Sequence, residues 1–174
     1  MSYTAPTSRS TGDVITAAIW NSDVVGDITF LANPPTCAVY NSAAISIPNA
    51  ALTVVTFNSE RFDTDTMHST VSNTDRLTAT TAGKYRIEAN LSFALSAAGA
   101  VRQARLRING VTEIAYHSHQ PSGSHGSDMT IARKYQLAAG DYVQLLVYQD
   151  SGGALNLASA TNYSPEFGMT WEGQ

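Results

Sequence analysis

The chain has 174 residues, a formal net charge of −4 and only 14% charged residues, well below the ~25% usual for globular domains. This length makes one domain with a short appendage, and its core needs no disulfide. Ten Lys and Arg residues leave no wide basic face, which excludes electrostatically driven binding to nucleic acid or to a membrane surface.

Residues 1–35 form an N-terminal arm. The opening MSYTAPTSRSTGD is polar and lacks the apolar h-region of a signal peptide. No apolar run approaches the ~20 residues of a membrane span. The expectation is a protein made in a cytoplasm and released without secretion. Thr16 is the expected N-cap of a short helix over AAIWNSDVVGDITFL. Its apolar residues Ile19, Trp20, Val24, Ile28, Phe30 and Leu31 are the candidate anchor for a partner. Gly26 and the β-branched residues weaken this helix, and Pro34-Pro35 ends it.

Residues 36–174 change character and read as short strands. CAVYN, AISIP and TVVTFN come first. In GKYRIEANLSFAL, Tyr85, Ile87, Ala89, Leu91 and Phe93 alternate with Arg86, Glu88, Asn90 and Ser92. VRQARLRING sets Ala104, Leu106 and Ile108 against Arg105 and Arg107. Asn109-Gly110 then turns the chain into VTEIAYHSH. DMTIARKYQL, DYVQLLVYQ, GALNLAS and EFGMTWEG complete nine or ten strands spaced for an antiparallel sandwich. The fold class is all-β, a two-sheet jelly roll. Its aromatic residues, Phe57, Phe62, Tyr85, Phe93, Phe167 and Trp171, are assigned mostly to the core. DYVQLLVYQ is apolar on both faces, so Tyr142, Leu146 and Tyr148 need a second cover, a loop or another subunit.

The chemistry-bearing residues point away from catalysis. There is no Gly-x-Ser-x-Gly, no Gly-rich phosphate loop and no His-Glu-x-x-His. Cys37, the lone cysteine, excludes an intrachain disulfide and a Cys-rich zinc site, and reads as a small buried hydrophobe. Asp63-Thr64-Asp65 with His68 departs from the EF-hand pattern and reads as Asx turns. His117 and His119 share a strand face, with His125 six residues on. That spacing suits a metal, but a solvated Ser/Gly/His hairpin end is the preferred reading. No metal, cofactor or enzymatic activity is assigned.

With these strands in place, the chain from about residue 37 to residue 173 resembles the C1q/TNF-like jelly roll. The residues that carry the resemblance are FNSERFDTDTMH, AGKYRIEANLSF, the Arg-x-x-x-Asn-Gly hairpin, AAGDYVQL and the closing SPEFGMTWEG. It is more similar still to the C1q-like domains of tailed-bacteriophage and prophage structural proteins, in which a segment like TGDVITAAIWNSDVVGDITFL often precedes the domain. The resemblance implies a homotrimer about a threefold axis. The strand Gly83 to Phe93 would lie beside that axis, with Arg86, Glu88, Asn90 and Lys134 facing neighbours, and Leu146 and Tyr148 as further interface candidates. That surface is aromatic and apolar in vertebrate relatives. Here it is charged, so Arg86 and Glu88 would have to pair across subunits. Two functions follow as expectations. The first is a capsid decoration (cement) protein whose arm grips the major capsid protein or another virion protein. The second is a tail or fibre-tip module binding host glycan or protein, with Tyr116 and Tyr163 as candidate sugar-stacking residues.

Overall fold

Thr16 starts the helical arm: its hydroxyl accepts the Ile19 N–H at 3.3 Å and so satisfies one of the orphan donors of a first turn. In the computed structural model, which describes residues 5–159, 162–163 and 165–174, α1 (Ala17–Trp20) passes through a π turn (Asn21–Val25) into α2 (Gly26–Ala32). The Thr29 hydroxyl donates to the Val25 carbonyl at 2.7 Å, inside this helix. Asn33 leaves helical geometry (φ −140°), and Pro34-Pro35 cannot continue it. Among the described residues no helix is long and apolar enough to cross a membrane.

Among the described residues twelve strands follow. They are β1 (Thr36–Tyr40), β2 (Ile45–Ile47), β3 (Thr53–Val54), β4 (Ser59–Asp63), β5 (Leu77–Thr78), β6 (Gly83–Phe93), β7 (Arg102–Ile108), β8 (Thr112–His119), β9 (Ser127–Leu137), β10 (Tyr142–Gln149), β11 (Leu155–Leu157) and β12 (Glu166–Gly173). The larger sheet runs β2-β11-β6-β12-β1-β4, with β9 on the other edge of β6; the smaller runs β3-β10-β7-β8, with β5 also on β10. Every pairing is antiparallel.

Alternation places the core. Tyr85, Ile87, Ala89, Leu91 and Phe93 of β6 face Ala104, Leu106, Val143, Leu145 and Val147 of the smaller sheet, and all are buried. Each large apolar side chain so buried contributes about 1.5–3 kcal/mol. Met67, Phe167, Met169 and Trp171 complete the interior. The expected strands are present, and β4 and β5 add to them. Phe62 corrects the core assignment: it lies on the outward side of β4 and is 50% exposed.

Leu146 is also corrected. It is 1% exposed within the single chain, so its cover comes from its own protomer. Leu146 and Tyr148 belong to the smaller sheet. Arg86, Glu88, Asn90 and Lys134 belong to the larger one, so the six expected interface residues do not share one surface.

Candidate interaction surface

The root of the arm is fixed to the jelly roll. Phe30 is 2% exposed and meets the Trp171 ring edge to face, centroids 4.9 Å apart. Trp171 is held in turn: its indole N–H donates to the Ala82 carbonyl at 3.1 Å, and its backbone N–H to Pro35. Gly83, at φ +150°, leaves room for the indole; a Cβ there would lie 2.2 Å from Trp171 Nε1. Phe30 therefore drops out of the anchor set, because its own domain uses it.

The other anchor candidates remain available. Trp20, Ile28 and Leu31 are 54%, 61% and 63% exposed, and Val25 joins them at 45%. Ile19 and Val24 are half-buried. The π turn spaces Trp20 five residues from Val25, after which Ile28 and Leu31 follow at helical i+3 steps. This gives an apolar stripe along a helix that carries Asp23 and Asp27 and no basic residue. Asp23 is ion-paired to Arg9 at 2.6 Å, and hydrogen bonds from Arg9 and Ser22 hold its carboxyl below the usual range.

The outer face of the larger sheet is a polar grid set by register. One row is Thr36, Thr170, Arg86 and Lys134; the next is Ala38, Gly168, Glu88 and Ala132; the third is Tyr40, Glu166, Asn90 and Thr130. Arg86 and Glu88 pair within the chain at 2.7 Å, and Lys134 reaches Glu172 at 2.6 Å. Arg86 and Glu88 therefore pair with one another inside a single chain. Asn90 accepts the Thr130 hydroxyl at 2.8 Å.

Several other polar clusters hold the fold together. Asp63 accepts the N–H groups of Asp65, Met67 and His68 at 2.9–3.1 Å, which is the Asx-turn role read from the sequence. The His68 side chain is fully buried between Glu60 and the Thr74 carbonyl. Burial pushes the Cys37 thiol up, and the charges of Asp63 and Glu60 add to that push, so it is no thiolate. Arg102 lies in phase with Ala104 and Leu106, and its side chain is 0% exposed. It donates to the carbonyls of Ser96, Ala98 and Val101 and faces Asp150 at 3.4 Å. The N–H groups of Val101 and Ala100 hold the Asp150 carboxyl below its usual range. Burial pulls Glu113 upward, but hydrogen bonds from Arg105 and Arg107 outweigh it and hold the carboxyl low. Among the described residues no group of three or more His, Cys, Asp or Glu side chains converges on a metal position.

No family model and no curated protein matches this sequence. Solved structures do. Murine APRIL aligns with a TM-score of 0.62 at 11% identity, covering 79% of this chain and 98% of its own. The globular domain of zebrafish complement 1qA aligns with a TM-score of 0.53 at 15% identity, covering 78% of this chain and 92% of its own.

The chain has the C1q/TNF-like jelly-roll fold.

In this jelly roll β6 and β9 lie side by side over eleven residue pairs, and the arm leads directly into β1. Sequence reasoning missed the buried Arg102–Asp150 pair and the Gly83–Trp171 seat. Arg102 had a visible signal, a cation in phase with the apolar residues of its strand. Gly83 had none beyond its place at a strand start.

Proposed function

We propose that this protein is a trimeric structural protein of a tailed-phage virion, made in the host cytoplasm, and that it decorates the capsid by docking its helical arm on the major capsid protein. The observation that carries the reading is the exposed stripe Trp20, Val25, Ile28 and Leu31 on a helix fastened to the jelly roll at Phe30. An apolar face of that kind is stable in water only at a cost, which burial against a partner offsets. The C1q/TNF-like fold supports self-association through the larger sheet, where Arg86, Glu88, Asn90 and Lys134 lie on one face. A trimer with three arms would bridge neighbouring capsid subunits and resist pressure from packaged DNA by burying surface. None of this requires catalysis or a cofactor.

The test adds the full chain to undecorated capsids of the phage that encodes it. Hundreds of copies per particle are expected. The variant Trp20→Glu/Ile28→Glu/Leu31→Glu should fold, sediment as a trimer and fail to coat. Equal coating by that variant, or a monomeric mass in light scattering, refutes the reading.

A second reading, a tail-tip module that binds host glycan, is favoured by one feature. Tyr163 is 57% exposed and borders a hollow of about 410 Å³ lined also by Asn90, Asp128 and Thr130, a stacking surface beside polar groups. Tyr116, the other expected stacking residue, is 56% exposed and carries the Arg105 guanidinium over its ring at 5.1 Å. A handful of copies per virion, located at the tail, would select this reading.

A further inference from the structure

His117 and His119 open a site that the functional reading does not use. On β8 they stand opposite Ala104 and Arg102. Residues directly opposite on an antiparallel pair share a face, so both imidazoles lie on the side of the sheet turned toward the sandwich interior, where Ala104 and Arg102 are buried. The rings are 6.0 Å apart at a tilt of 55°. Two imidazoles sharing one ion at the usual ~2.0–2.1 Å place their ring centres roughly 5–6 Å apart.

The proton positions follow from the partners. His117 Nδ1 lies 2.9 Å from the Thr130 carbonyl oxygen, and His119 Nδ1 lies 2.7 Å from the Gln120 carbonyl oxygen. A carbonyl only accepts, so each Nδ1 carries the proton and each neutral ring keeps its Nε2 lone pair free. A backbone carbonyl on the second nitrogen is the arrangement that fixes a metal-ligating imidazole. His119 Nε2 is itself buried and has no hydrogen-bond partner, which is unusual for a buried polar atom. The nearby cation does not fill the place. The Arg102 guanidinium is committed to three carbonyls and Asp150.

We propose that His117 and His119 form a two-imidazole site for a borderline divalent transition cation such as Cu²⁺, Ni²⁺ or Zn²⁺, bound through both Nε2 atoms with water in the other positions. The ion has a structural consequence. Withdrawing electron density from the His117 ring strengthens its Nδ1–H donor, and that donor joins β8 to β9, the edges of the two sheets. Metal therefore tightens the open side of the sandwich.

The test uses the full chain without an affinity tag, titrated with Cu²⁺ and followed by electron paramagnetic resonance and by thermal unfolding. One ion per chain, a pattern from two imidazole nitrogens and a raised Tm are expected. His117→Gln and His119→Gln should each reduce the pattern to one nitrogen and weaken binding by about tenfold or more. His125→Gln should change neither, since its Nδ1 faces the Gly126 carbonyl from a separate loop. His68 is sealed between Glu60 and Thr74 and does not compete. If His119→Gln does not fold, His117→Gln alone decides. Absence of stoichiometric binding, a two-nitrogen pattern that survives in His117→Gln, or a loss caused by His125→Gln would each overturn the site.

Discussion

Phe30 and Trp171, 141 positions apart, meet edge to face at 4.9 Å, with ring planes at 85°. This contact is the joint between the arm and the jelly roll. It is edge-to-face geometry, worth about 0.5–1.5 kcal/mol beyond the area it buries.

Phe30→Ala should cost about 3–5 kcal/mol in urea unfolding, the usual loss for a buried Phe. Leu31→Ala, one residue on and 63% exposed, should stay within about 0.5 kcal/mol. Equal losses at the two positions would mean the helix lies flat on the domain.

Gly83→Ala should unseat the indole. The new Cβ meets Trp171 Nε1 at 2.2 Å and the Gly173 carbonyl at 2.4 Å, on a backbone at φ +150°. A loss well above ~1 kcal/mol is expected. In a Trp20→Phe background, Trp171 becomes the only indole, and its fluorescence should shift to the red as the Ala82 hydrogen bond opens.

Asp150 sets an acid limb. Its carboxyl titrates below the usual range in the folded chain, chiefly through the Val101 and Ala100 N–H groups. Its contribution to stability is therefore complete above an unfolded pKa of about 4 and is lost as pH falls through the lower folded value. Asp150→Asn should lower stability at neutral pH, because the buried Arg102 charge loses its counterion. The variant should also show a shallower decline toward roughly pH 3, read from urea midpoints across the range.

Glu88→Arg places a third cation beside Arg86 and Lys134 on the outer face of the larger sheet. Exposed pairs such as Arg86–Glu88 contribute little to a single chain, so the unfolding free energy should move by less than about 1 kcal/mol. If this face lies at the threefold axis, the trimer should dissociate in light scattering, and the double reversal Arg86→Glu/Glu88→Arg should restore the mass.

Period-2 alternation made the jelly roll readable. β6 and β7 carry it so regularly that their inward residues could be named one by one, and the NG hairpin fixed the turn between β7 and β8. β4 and β5 escaped because their pattern is weak: SERFD buries no residue fully, and β5 spans two residues. Phe62 was misplaced because an aromatic on a strand is ordinarily inward. Leu146 was misassigned for a related reason. A strand apolar on both faces announces two covers, and it does not say which part of the molecule supplies the second. The arm helix was legible from its cap and its spacing. The division of labour within it, Phe30 inward and Leu31 outward, depends on a contact with Trp171 that no local pattern encodes.

The eleven-residue register of β9 on β6 leaves a long strand at the border of the larger sheet. Its second half, Ala132 through Gln136, is exposed and carries Arg133 and Lys134 in succession. Adjacent positive charges repel the same stretch of an incoming copy, so they guard an unpaired rim against zipping into fibrils.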